Sequence, residues 1–423
     1  AVLAAAVYMC CLPLFSSAFL YLANSASLIP AVLMGSAIVL LPPVLLMGMV
    51  SPLLITSLTT SKEESGKRAG EVYAISTLGG ILFCFLTGFF FIPNMGLRYT
   101  LSIISFLLAI FPCVYFLKIK NFVPAIIYFL SIAFILAGPG KKSSSVYLSD
   151  GLLGRLEVRD DLYQPNQEEK PDSCRLLLMN NVIQSAVNLK NGNSELEYTA
   201  LLEKNLTAAT THPKTALLLG LGGGVQANEL CKENIEVTAI ELDRRVIGVA
   251  KCYFNLNRSV VVIEDDARHA LYNIHKKFDF VMIDLFHAEI TPAHVMSFES
   301  FTKIRSLLNE NGLLVINTYG YLKSKAGYGN LILMNTLRNC GFNFRVCYVG
   351  DKTNEDFRNF EIFATVRPIE QTLANQLEEE IPGFAHFPVN TDDRPLLEEA
   401  NALAAKQWRS SYLRSSIVSP QVY

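Results

Sequence analysis

The chain has 423 residues, of which 51% are apolar and only 17% charged, with a net charge of −2. A soluble protein carries about 25% charged residues, so this composition excludes disorder and argues against a wholly soluble chain. The near-neutral balance gives no case for a nucleic-acid partner.

The charge deficit is local. The first charged residue is Lys62, residues 1–138 hold nine charges, and 65 fall in the other 285 residues. That pattern predicts a membrane portion followed by a soluble one. A span needs about 20 apolar residues. Residues 1–23, 28–59, 71–93 and 98–117 meet that need, and 122–138 lies at the lower limit, so 1–138 is expected to hold four to five transmembrane helices. Pro42-Pro43 is expected to kink the second. Ser76, Gly80, Cys84 and Gly88 form a stripe of small residues on the third. It reads as helix packing rather than a transport path, because no ionisable residue lies deep in a span. The chain opens at Ala1 inside an apolar run without a basic start, which predicts a fragment whose upstream helices are missing.

Short loops rich in Lys and Arg face the cytoplasm. Lys62, Lys67 and Arg68 mark one such loop, and Lys118 and Lys120 return to the same side. The stretch 122–138 contains Pro124 and precedes Lys141-Lys142, so it is expected not to cross fully. The reading is a multi-pass plasma (inner) membrane protein, partnered by the lipid bilayer, with its soluble domain in the cytoplasm. A homo-oligomer stays open. None of the nine cysteines forms a CxxC pair, so free thiols and no bound metal are expected.

From about Tyr147 the pattern changes. Residues 147–190 read as short strands and turns, and 194–211 as an amphipathic helix. Apolar strand-like runs then recur at 215–220, 236–241, 260–264, 279–284, 312–317 and 344–349, between helical segments. Buried strands alternating with helices predict a parallel, doubly wound sheet, with ligands at the carboxyl ends of the strands. The expected divisions are 139–211, β-rich with a linking helix; 212–370, the Rossmann-like domain; and 371–423, a C-terminal segment.

The strand ends carry the chemistry. The first strand ends in Gly220-Leu221-Gly222-Gly223-Gly224, a turn that lets the backbone approach a ligand. The second ends in Glu241, with Asp243 beside it, placed to take both hydroxyls of a ribose. The third ends in Asp265-Asp266-Ala267, where a carboxylate can accept from an exocyclic amine. The fourth ends in Asp284, followed by His287 and Glu289. One acidic strand end is easily a helix cap; four in succession are harder to dismiss.

The order resembles class I S-adenosylmethionine-dependent enzymes, and more closely the spermidine synthase family. Members of that family place a β-rich lid before a Rossmann-like domain, and show a GGGDGG-type loop, a VEID-type strand end, a DA pair and a DSSDP-type catalytic loop. Here the matching stretches are GLGGG, AIELD, DDA and DLFHAEITP, with NVIQS and ELEY echoing the family's DGxxQ and DExxYHE segments. The resemblance covers about 147–366. A second resemblance is to bacterial proteins in which major-facilitator-like helices are fused to a spermidine synthase-like domain, carried by LLMGMVSPLL, KRAGEVYAISTLGG, NMGLR and TDDRPLLE.

By this resemblance Gly220, Gly222, Gly223 and Gly224 cradle the nucleoside, with Gln184 lining the lid. Glu241 holds the ribose, Asp266-Ala267 face the adenine, and Asp284 is the proton acceptor, with Tyr198 retained. The implied co-substrate is S-adenosylmethionine or its decarboxylated form, the implied acceptor a small amine such as putrescine, and the implied activity aminopropyl transfer. Three amine-site groups depart from the family: its Asp is Gly223, its second catalytic-loop Asp is His287, and its His is Thr199. Glu289 would restore one carboxylate, and His287 would serve as a base. The departures leave methyl transfer, or other sulfonium chemistry, as an alternative on the same fold. A transporter with a nucleoside-sensing domain is the alternative from another class. Glu195 stays open between lining the lid and starting a helix, His294 is expected to cap the following helix or pack, and Asp392-Asp393 to cap or close the C-terminal segment.

Overall fold

The computed structural model describes residues 1–23, 28–136, 145–163, 171–210, 212–285, 292–323, 325–350, 357–377, 381 and 383–414. The chain divides into two compact units, one built mainly of residues 1–143 and the other mainly of 155–422.

The first unit is helical: α1 (Val2–Ala23), α2 (Leu28–Gly48), α3 (Val50–Leu58), α4 (Ser65–Phe85), a π-helical turn (Leu86–Phe91), α5 (Ile92–Lys118) and α6 (Val123–Leu136). Among the described residues three helices are long and apolar enough to cross a membrane, Leu33–Leu58, Ser65–Leu97 and Tyr99–Lys118. No residue of α3 or α4 is buried within the protein, and Ile75, Leu78, Phe89 and Phe111 stand exposed. Apolar surface on this scale suits lipid rather than water.

The breaks have local causes. The helical backbone runs through Pro42-Pro43, and an irregularity in its hydrogen-bond ladder falls at Met49. Pro52 is the reason: without an N–H it cannot bond the Gly48 carbonyl, and the next bond, Leu53 N–H to Met49 O, is stretched to 3.4 Å. Pro93 likewise withholds a donor from Phe89, and the ladder widens so that the Ile92 N–H reaches back five residues to Thr87. Gly96, at φ +74°, then ends one candidate span before the next begins. At 14 residues α6 rises only ~21 Å, short of a ~30 Å hydrocarbon core.

The second unit opens with an antiparallel four-stranded sheet in sequential order, β1 (Ser145–Gly151), β2 (Gly154–Tyr163), β3 (Asp172–Met179) and β4 (Val182–Asn188). Helix α7 (Glu197–Ala209) leads into the main domain. There follow β5 (Thr215–Leu219), α8 (Val225–Lys232), β6 (Glu236–Glu241), α9 (Arg244–Tyr253), β7 (Val261–Glu264), α10 (Ala267–Asn273), β8 (Phe278–Ile283), α11 (Phe298–Leu307), β9 (Leu308–Gly320), α12 (Tyr328–Asn339), β10 (Asn343–Tyr348) and β11 (Arg358–Thr365).

The seven strands run in the order β10-β11-β9-β8-β5-β6-β7. The sheet is mixed, which corrects the expectation of a wholly parallel one. The strand that the apolar runs did not reveal, β11, inserts antiparallel between β9 and β10. One face packs Leu217, Leu219, Val281, Ile283, Leu314 and Ile316 against α10, α11 and α12. The other packs Leu218, Ala239, Phe280, Met282, Val315 and Phe363 against α7, α8 and α9. Fully buried Asn390 ties down the C-terminal segment: its amide donates to Ala293 O and Met296 O at 2.9 and 3.0 Å, and its Oδ1 accepts from Leu396 N–H. Asp392 pairs with Arg268 of α10, the closing role expected for it.

Candidate active site

Strand pairing alone aligns the site. Leu219 is level with Ile240 and with Ile283, and Ile283 with Ile316, so one residue further on Glu241, Gly220, Asp284 and Asn317 lie side by side. Antiparallel β11 completes the row, with Glu361 level with Asn317. Partners in register share a face, here the face that carries α7. The last apolar layer thus gives way, strand by strand, to a line of polar groups at the carboxyl end of the sheet.

The Gly-rich turn is held from three sides. The Gly220 N–H donates to Ile240 O at 2.9 Å. Its φ is +101°, and a Cβ there would stand 2.3 Å from the Asp284 carbonyl oxygen. Gly224, the N-cap of α8, also has positive φ, and a Cβ on it would press on Leu256. The Gly223 N–H donates to Ser185 Oγ at 2.9 Å, with Phe254 on its other side. A Cβ at 223 would sit 3.0 Å from both neighbours, so a larger side chain needs them to move. That packing is the physical counterpart of the glycine at this position.

Glu241 latches the same turn. Its Oε2 accepts from Leu221 N–H at 3.2 Å and its Oε1 from Asp243 N–H at 2.9 Å. Burial pushes its carboxyl up, and these N–H donors offset part of that. A carboxylate has about four acceptor positions, so capacity remains for a ligand hydroxyl. Asp243 lies beside it with partners of its own. It caps α9 through Arg245 N–H and forms a two-point ion pair with the Arg245 guanidinium, Nη2 to Oδ2 at 2.6 Å. Asp266 caps α10 through His269 N–H at 3.0 Å, with His294 Nε2 3.8 Å away, and Ala267 is buried in the apolar core. Gln184 lies on β4 with its carbonyl near Gly222, but the side chain that touches the turn is the next one, Ser185. Glu195 accepts from Asn188 at 2.8 Å, and Thr199 returns its hydroxyl to Leu196 O at 2.6 Å.

The second cluster centres on Asp284. Asn317 Nδ2 donates to its Oδ1 at 3.0 Å, and the Tyr198 hydroxyl on α7 lies within hydrogen-bonding reach of the same carboxylate. Burial raises the Asp284 carboxyl, and the two donors pull it partly back. Burial, then the Asp284 charge, holds Tyr198 well above its ordinary value, so it stays a donor. Sequence reasoning missed Glu361. It is fully buried, and burial, then the Asp284 charge, drives its carboxyl well up. A lone acid inside an apolar strand was the available signal. His287 and Glu289 lie outside the described residues.

Residues 195–349 match the family described as Spermine/spermidine synthase domain. The chain is 30% identical over 150 residues to a probable polyamine aminopropyl transferase of Bifidobacterium longum, covering 34% of this chain and 33% of that protein. It is 32% identical over 118 residues to a polyamine aminopropyltransferase of Vibrio vulnificus, covering 26% and 40%. It is 26% identical over 160 residues to an N-terminal histidine N-methyltransferase of Emericella nidulans, covering 36% and 28%. The chain therefore spans two fifths or less of the length of each of these relatives. Among solved structures it resembles a probable spermidine synthase from Corynebacterium glutamicum at 18% identity, with a TM-score of 0.43 over 54% of this chain and 80% of that one. Residues 195–349 of this chain are spermidine synthase-like.

Proposed function

We propose that this protein is a membrane-tethered transferase that moves an aminopropyl group from decarboxylated S-adenosylmethionine to a small amine. The observation that carries the reading is the Asp284 carboxylate, held by Asn317 and Tyr198 in the same row as Gly220 and Glu241. The turn and Glu241 bind the nucleoside. The acceptor amine approaches Asp284, which accepts its proton as the nitrogen forms a bond to the carbon beside the sulfonium. The carbon–sulfur bond breaks, its electron pair stays on sulfur, and a neutral thioether leaves. Burial suits Asp284 to this work, because a carboxyl raised toward neutrality is a stronger base. His287 and Glu289 are proposed to face the same amine.

Calorimetry with methylthioadenosine, the thioether product, tests the nucleoside site, and no binding would sink the reading. Glu241→Ala removes the ribose acceptor and unlatches the Leu221 N–H. It is expected to weaken methylthioadenosine by about 1.5–3 kcal/mol, or ten- to a hundredfold. An unchanged affinity would place the nucleoside elsewhere. The relative that methylates a terminal histidine favours methyl transfer as the second reading. Mass spectrometry of the acceptor separates the two by the group gained.

Either chemistry draws on a cytoplasmic co-substrate, so the domain is proposed to lie inside, with α6 too short to cross. A cysteine introduced at Ser144 is expected to resist an impermeant thiol reagent on intact cells and to react once the membrane is opened. Ready labelling from outside would put the domain on the wrong side for both readings.

A further inference from the structure

Strand order sets three polar side chains in line, Asp284 on β8, Asn317 on β9 and Glu361 on β11. Asn317 therefore stands between two acids. Its Nδ2 donates to Asp284 Oδ1 at 3.0 Å, which leaves Oδ1 at the other end of the same planar amide. That Oδ1 is buried and has no partner among the described residues, and the same holds for both oxygens of the fully buried Glu361 carboxyl. Asn317 and Glu361 are level partners of an antiparallel pair, whose Cβ atoms lie about 4.5–5.5 Å apart, so the unanswered acceptors share one spot. Acceptors without a donor are costly in a dry site. A single proton removes the mismatch: on Glu361 it turns one acceptor into a donor and gives Asn317 Oδ1 its partner.

We infer that Glu361 is a neutral acid that donates to Asn317 Oδ1 and so holds the Asn317 amide with its nitrogen toward Asp284. Glu361 is then a positioning residue, which acts on Asp284 through Asn317. An amide fixed at both ends cannot turn its oxygen to Asp284, an orientation that would set two acceptors face to face. The surroundings favour the neutral form. Burial, then the Asp284 charge, drives the Glu361 carboxyl up, and among the described residues no basic side chain pairs with it. The other ionisable groups on this side are Tyr198 of α7 and Cys347 of β10, the latter level with Glu361. Burial holds the Tyr198 hydroxyl well up and pushes the Cys347 thiol to about 12, so both stay uncharged. The effect on transfer rests on the transferase reading; the hydrogen bond does not.

The test is infrared spectroscopy of the full chain in lipid nanodiscs across a pH titration. Near neutral pH the wild type is expected to show the carbonyl stretch of a protonated carboxyl that Glu361→Gln loses. Loss of an ionised-carboxylate band in its place would overturn the inference. The titration of Asp284, isolated by subtracting the spectra of Asp284→Asn, is the second measurement. Glu361→Met has no donor for Asn317 Oδ1, so the amide is freed to turn and the Asp284 titration is expected to move to higher pH. Glu361→Gln donates through its own amide and is expected to restore the wild-type position. A charged Glu361 requires the opposite, a move to lower pH in both variants; that result, or no move in Glu361→Met, would overturn the inference. Transfer from decarboxylated S-adenosylmethionine to 1,4-diaminobutane is followed alongside. Its kcat is expected to fall about three- to tenfold in Glu361→Met and to recover in Glu361→Gln. Spectra that behave as described in a protein without turnover would uphold the hydrogen bond and sink the transferase reading alone.

Discussion

Asp284→Asn is expected to slow transfer by about a hundred- to ten-thousandfold, the usual worth of a positioned general base. The substitution keeps the side chain's shape, and the amide can still accept from Asn317 Nδ2 through its oxygen, so the strand end should stay in place. Methylthioadenosine should bind as before, because the turn and Glu241 are untouched. The loss should appear in kcat rather than in nucleoside affinity. The pH profile supplies a second check. The reaction needs the ionised carboxylate, so the rate should rise with pH through the raised Asp284 value and then level. Asn317→Leu removes a donor that holds that value down, and should move the rising limb to higher pH. If Asp284→Asn keeps a tenth of the rate, another group is the base.

Gly220→Ala should destabilise the main domain by about 2–5 kcal/mol. Two terms add. The φ of +101° is strained for any residue with a Cβ, and the new methyl would stand 2.3 Å from a backbone oxygen at the end of β8. Backbone cannot step aside as a side chain does, so β5 and β8 must part or the turn must rebuild. Gly192→Ala is the control. It has a similar constraint, φ +77°, but open space around it, and should lose only about 1 kcal/mol. Equal losses in the two variants, measured by denaturant unfolding, would show that the contact with Asp284 does not matter.

The sequence made the main strands legible because their apolar runs are uninterrupted from one turn to the next. It hid β11 because Arg358, Asn359 and Glu361 break that pattern in a strand buried between β9 and β10. Asn317 closes an apolar run and carries no charge, so nothing marked it as the group that orients Asp284. Acidic strand ends were visible, but their duties were not. Asp243 and Asp266 cap helices, while Glu241 latches the Gly-rich turn and Asp284 takes a hydrogen bond from Asn317, and only backbone geometry separates these arrangements.

The row of level residues makes the sheet a ruler. Neighbouring strands lie about 4.8 Å apart, so each strand is one graduation and the positions 241, 220, 284, 317, 361 and 347 are its marks. A slip of β11 by a single residue would turn Glu361 to the opposite face and take it out of the row.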